Sequence, residues 1–137
     1  MKKMICMIMV GMLALGMIGC SKTKLSEEFD KEKVLEEAKV VIDMVNEGET
    51  EAIWEEKFNA KMQNALPKED WLQAIDPVIE EAGAFEKYEK EAVTGTEEPD
   101  TGEKFATAVI VANYENGKNQ YTISFNTSMQ VTGFFVK

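Results

Sequence analysis

FATAVIVANYENGKNQYTISF, residues 105–125, decides the fold. On both sides of Asn116-Gly117, apolar and small residues alternate with polar ones. A period of two marks strands, and Asn-Gly between two such runs marks a hairpin whose turn needs positive φ. The spacing predicts strands from Phe105 to Glu115 and from Gln120 to Asn126. A two-residue loop at Asn116-Gly117 puts 115 opposite 118, 114 opposite 119, 112 opposite 121, 110 opposite 123 and 108 opposite 125. One face then carries Ala108, Ile110, Ala112 and Tyr114 with Tyr121, Ile123 and Phe125. Small residues facing aromatics on one side are what a sheet covered by helices requires. The other face carries Thr107, Val109, Val111 and Asn113 with Gln120, Thr122 and Ser124, a mixture suited to water or to a subunit contact.

Upstream of the hairpin the period is helical. Val34, Ala38, Val41 and Val45 share one face from Asp30 onward, and Gly48 follows as a stop. Thr50 is placed to cap a second helix whose stripe is Ile53, Trp54, Phe58 and Met62. Leu66-Pro67 opens a third, with Glu69 and Asp70 at its positive end and a stripe of Trp71, Leu72, Ile75, Val78, Ile79 and Ala82. Pro77 inside that stripe should kink or split the helix, and Gly83 ends it. A first strand is expected from Phe85 to Thr94, then a polar loop from Gly95 to Gly102. A last strand is expected from Met129 to Val136. The turn at Asn126-Thr127-Ser128 admits two or three residues, which leaves its register open. Helices first and antiparallel strands after give an α+β fold, with N-terminal helices on a curved antiparallel sheet of about four strands.

The N-terminus is an address. Lys2 and Lys3 precede an uncharged run from Met4 to Ile18, the length of a signal-peptide core and short for a bilayer span. Met17-Ile18-Gly19-Cys20, followed by polar residues, resembles the lipobox of bacterial lipoproteins, with Met in the usual place of Leu. The resemblance implies cleavage after Gly19 and a diacylglyceryl thioether on Cys20, hence an acylated protein on the extracytoplasmic face of the cell membrane. A plain signal peptide with an incidental cysteine is the alternative. On the first reading residues 1–19 are removed, 20–29 are the lipidated Cys and tether, and 30–137 form one domain. Two acyl chains on one residue anchor stably. Cys6 leaves with the leader, so no disulfide is expected.

Composition excludes several functions. Without Lys2 and Lys3 the balance is 13 Lys against 25 Asp plus Glu, a net charge of −12, and neither Arg nor His occurs. No cationic face for nucleic acid is expected. A histidine-based triad or metal site is excluded. With Cys20 acylated no thiolate nucleophile remains. Glu97-Glu98-Pro99-Asp100 lacks a cation-ligand rhythm and reads as a solvated loop. No metal or cofactor is expected.

The stretch from Ala38 to Glu89 resembles the domain of unknown function 3887 family, within the nuclear-transport-factor-2-like (cystatin-like) superfamily. The matching features are the helix pair around Asn46-Glu47-Gly48, Phe58-x-x-x-Met62, Leu66-Pro67, and Gly83-Ala84-Phe85. The strands from Phe105 to Val136 continue the likeness. The resemblance implies a cone between helices and sheet that serves as a pocket in some members. Trp54, Phe58, Trp71, Phe85, Tyr114, Tyr121 and Phe125 are the residues that would line it or fill it as core. Related pockets use an Asp or His base, sometimes opposite a Tyr. Here His is absent, and Asp70 and Asp76 fit better as solvated or capping residues, so no catalytic constellation is found. The G-x-S-x-G of the hydrolases attached to some relatives is missing too. Two readings follow: a non-catalytic binding or interaction module, pairing through its exposed sheet face with itself or a partner, and a small-molecule binder or weak enzyme using the cone.

Overall fold

The computed structural model describes residues 25–137. Cys20 and the expected leader, residues 1–19, lie outside the described residues. The architecture is α+β, as the sequence pattern predicts. Helices α1 (Lys31–Asn46), α2 (Thr50–Ala52), α3 (Ala60–Ala65) and α4 (Lys68–Ala82) precede strands β1 (Phe85–Glu97), β2 (Lys104–Tyr114), β3 (Gly117–Phe125) and β4 (Val131–Val136). The strands form one antiparallel sheet in the order β1-β2-β3-β4. Among the described residues no helix is long and apolar enough to cross a membrane.

Asp30 caps α1 by accepting the amide of Glu32, and Val34, Ala38, Val41, Ile42 and Val45 are its buried stripe. Phe29, assigned to the tether from sequence, is buried in the core beside them. Thr50 does not cap the second helix. It is the buried first residue of α2, and its carbonyl accepts the Trp71 indole N–H at 2.8 Å. The predicted continuous helix from Ile53 to Met62 is broken. A π-helical turn spans Ile53–Lys57, closed by the Phe58 amide on the Ile53 carbonyl. Phe58 is extended and bridges Val131 of β4 in parallel, and the Asn59 amide donates to the Val131 carbonyl at 3.0 Å. Asn59 then caps α3 by accepting from the Met62 amide. Sheet pairing at Phe58 outweighs helical periodicity here. Pro77 does not split α4, which runs through it. Pro77 and Gln73, whose carbonyl loses its helical donor, are both exposed, so water can take that bond.

The hairpin is the chief correction. Its turn is Glu115-Asn116, with Tyr114 opposite Gly117, Ala112 opposite Asn119, Ile110 opposite Tyr121 and Ala108 opposite Ile123. Neither turn residue takes positive φ, so it is not the expected type I′ turn. The cause is tertiary. The last carbonyls of a helix lack intrahelical donors. Here the Asn116 amide donates to the Ala82 carbonyl at 3.0 Å, the Asn116 side chain to the Glu81 carbonyl at 3.0 Å, and the Glu115 amide to the Ala84 carbonyl at 2.8 Å. The register differs from the predicted one by an even number, so both faces keep their residues. Ala106, Ala108, Ile110, Ala112, Tyr114, Tyr121, Ile123 and Phe125 are all buried under the helices.

The remaining strands differ in extent. β1 continues past Thr94 to Glu97, so Gly95 to Glu97 belong to the sheet rather than to the loop. β4 begins at Val131, not Met129, because the Asn126 side chain takes the Ser128 and Gln130 amides and builds a longer turn. Phe125 faces Val131 while Ser124 faces Gly133, leaving Thr132 as a bulge. That settles the open register: Phe134 and Val136 point inward with Ile123 and Tyr121, and Phe135 lies outward with Thr122.

Gly48 and Gly83 both take positive φ, at 79° and 81°. A Cβ at Gly48 meets open space, whereas at Gly83 it meets Asn116 Nδ2 and Glu115 Oε1 at 3.0 Å. Gly48→Ala should therefore lose about 1–2 kcal/mol from backbone strain alone. Gly83→Ala should lose clearly more, because it also pushes the turn off the helix end. Urea unfolding of the two variants checks the order; equal losses would mean that the turn docking contributes nothing.

Candidate functional site

The sheet has one sealed face and one open face. On the open face the strands align side chains in cross-strand rows. Ala92, Val109, Thr122 and Phe135 form one row. Thr94, Thr107, Ser124 and Gly133 form the next, with the Thr107 and Ser124 hydroxyls 2.9 Å apart. Lys90, Val111 and Gln120 form a third. Val109, Val111, Thr122 and Phe135 are half-buried, and the helices pack on the opposite face. Charge sits at the margins: Lys87 and Lys90 on edge strand β1, and Lys118 paired with Glu89 at 3.0 Å. The Lys118 ammonium holds the exposed Glu89 carboxyl below its ordinary value. The helical stretch 31–82 is very different, with 14 Asp plus Glu against 6 Lys.

On the sealed face the aromatics named from sequence fall into separate groups. Phe58 packs edge-on against Trp71 at 4.8 Å, and Trp71 against Phe134 at 5.0 Å. Tyr121 joins them through Phe134 at 6.0 Å. Phe85 packs at a tilt against Tyr88 at 4.9 Å and edge-on against Tyr114 at 5.6 Å. Phe125 is fully buried beneath the helices. Trp54 stands apart and half-buried, its indole N–H on the Leu66 carbonyl at 2.8 Å. Phe134 and Tyr88 were not singled out from sequence. The inward position of Phe134 depends on the bulge, which leaves no sequence signal.

Tyr114 and Tyr121 do come together, in a polar seam between α1 and the sheet. The Tyr114 hydroxyl donates to Asn46 Oδ1 at 2.6 Å. Its single proton being spent there, the Tyr121 hydroxyl 2.7 Å away is the donor to Tyr114. Tyr88 donates to Asp43 Oδ1 at 2.7 Å, with the Lys39 ammonium over its ring. Lys39, Asp43 and Asn46 recur at the spacing of one helix face, and that spacing is the signal by which sequence reading could have found the seam. Burial pushes all three tyrosine hydroxyls above their ordinary value, and at Tyr88 the Asp43 carboxylate adds to the rise.

An open groove of about 640 Å³ runs between the α1–α2 turn and α4, lined by Thr50, Glu51, Glu55, Leu72 and Asp76 among others. Glu55 and Glu51 are tied to Lys68 at 2.6 and 3.1 Å and hold its ammonium protonated above the usual range. Asp76 accepts from the Thr50 hydroxyl at 3.5 Å, and Asp70 is exposed. Among the described residues no three acidic or sulfur side chains are grouped to hold a metal.

Two outcomes test the seam. Tyr114→Phe strands both Asn46 Oδ1 and the Tyr121 hydroxyl, and should cost about 1–3 kcal/mol. Tyr121→Phe should cost less, and the double variant less than the sum, in urea unfolding. The tyrosines titrate higher when folded, so the stability they confer is complete below the unfolded value near 10 and is lost as pH rises above it. Tyrosinate absorbance should appear together with unfolding in alkaline solution. Ionisation of all three tyrosines in a still-folded protein would contradict the seam.

A family model described as "Protein of unknown function (DUF3887)" matches residues 38–134. No curated protein matches the chain. A solved structure, the NMR structure of a protein from Ruminococcus gnavus ATCC 29149, is similar with a TM-score of 0.69 and 26% identity. The similarity covers 82% of this chain and 96% of the other.

Proposed function

The chain belongs to the DUF3887 family of proteins of unknown function, and from that premise we propose a non-catalytic binding module, anchored to the cell membrane through Cys20, that works through its open sheet face. The observation that carries the reading is the row of half-buried Val109, Thr122 and Phe135, with Val111 beside it, on a face the helices leave uncovered. The preferred occupant is a second copy of the chain. Charge supports this choice. Two copies meeting by their helical layers would bring the acidic stretch 31–82 against itself, whereas the sheet faces meet through an uncharged centre. The buried hydroxyls of Tyr114 and Tyr121 are already engaged with each other and with Asn46, which leaves them little to offer a substrate.

A second reading has its own observation. Asn46 Nδ2 and Asn119 Nδ2 are buried without a partner among the described residues. Asn46 lies at one end of the tyrosine pair, and Asn119 stands two residues from Tyr121 on the same face of β3. A small molecule rich in acceptors, reaching the seam, would satisfy both amides.

Native mass spectrometry of the protein, extracted from its host in mild detergent, separates these readings. A dimer carrying only the acyl anchor supports the first, and Val109→Glu with Val111→Glu should return it to a folded monomer. A monomer over a wide concentration range, carrying a defined small mass that Asn46→Ala abolishes, would select the second. Labelled palmitate should enter the wild type and not Cys20→Ser; label retained by that variant would remove the anchor from the proposal.

A further inference from the structure

We infer that Asn116-Gly117 is a site of spontaneous covalent modification, gated by the docking of the β2–β3 turn on the end of α4. Asn116 is the only asparagine in the chain followed by glycine. In that sequence the glycine nitrogen can attack the asparagine side-chain carbonyl. The new N–C bond closes a five-membered succinimide, and the side-chain nitrogen departs as ammonia. Water then opens the ring at either carbonyl, giving aspartate or isoaspartate at 116. No oxidant, reductant or cofactor enters; water is the only co-reactant. Glycine matters because it has no side chain to hinder the approach. Both Asn116 and Gly117 are exposed, so water reaches them.

The fold holds the reaction back at the atoms it needs. The leaving nitrogen, Asn116 Nδ2, is committed to the Glu81 carbonyl at 3.0 Å. The Asn116 amide is committed to the Ala82 carbonyl at 3.0 Å. Both bonds tie the residue to the end of α4 and hold its side-chain amide there. Asn116 Nδ2 and Glu115 Oε1 also lie about where a Cβ at Gly83 would stand, each 3.0 Å from that position. Ring closure therefore requires the turn to leave the helix end.

The product cannot return to the same place. An aspartate at 116 replaces the donor to the Glu81 carbonyl with a charged acceptor. It also sets a negative charge beside Glu115 and at the negative end of the α4 dipole. Isoaspartate adds a backbone methylene within the turn that fixes the β2–β3 register. A transient opening of the turn from the end of α4 is thereby converted into a permanent weakening of the contact between helices and sheet. The acidic product makes this contact a one-way latch.

The test uses the full-length chain in detergent, incubated in mildly alkaline buffer with and without a denaturing concentration of urea. Residue 116 is followed by peptide mass spectrometry. If reaction proceeds only from the opened turn, the folded chain should react at least about tenfold more slowly than the unfolded one. Asn116→Gln, which keeps an amide but closes the ring poorly, should stay unmodified in both. Asn116→Asp, made directly, should show a lower urea midpoint than wild type. Equal rates in the folded and unfolded chain would overturn the gate. An Asn116→Asp variant as stable as wild type would overturn the consequence.

Discussion

Everything in this molecule hangs on the contact between the carboxyl end of α4 and the turn joining β2 to β3. Helical carbonyls at Glu81 and Ala82, and the Ala84 carbonyl just beyond, need donors, and the turn supplies three from Glu115 and Asn116. Gly83 makes the approach possible by taking positive φ and having no Cβ. This single contact chooses the turn residues, and with them the hairpin register. Ala106 and Ala108 then lie on the buried face, where their short side chains leave room for Phe125 and Ile123 opposite them on the next strand.

The layers of the fold were legible because they rest on periodicity. A period of two around residues 105–125 and a helical period from Val34 to Ala82 are properties of the chain alone. Face assignment survived an incorrect turn because the error was an even number of residues. What the sequence hid were the places where distant segments compete with local preference. Phe58 fits a helical stripe, yet it leaves the helix to pair with Val131. Asn116-Gly117 has the composition of a type I′ turn, yet the helix end captures Asn116. Thr50 looks like a cap, yet its carbonyl is claimed by Trp71. Of the seven aromatic residues that the sequence offers for the cone, five are buried in the core, and Tyr114 and Tyr121 meet as a hydrogen-bonded pair. Asn46, which accepts from Tyr114, and Asp43, which accepts from Tyr88, carry ordinary surface chemistry, and only their spacing on α1 hints at the role.

The two faces of the sheet divide the work. The inner face spends its apolar area and its tyrosine hydroxyls on holding α1 in place. The outer face spends almost none: its threonines and valines stand in rows without a covering layer. The helical stretch 31–82 is strongly acidic, whereas the centre of the outer face is uncharged. On the proposed reading, stability and recognition lie on opposite sides of one four-stranded sheet. A surface change on the outer side need not disturb the packing that forms the domain.

The most direct measurement is an isotope-filtered NMR experiment on a mixture of methyl-labelled and unlabelled protein. The account predicts intermolecular contacts from the methyl groups of Val109 and Val111 across the outer face. Contacts absent from those valines, or found instead at Val40 on the exposed side of α1, would contradict it.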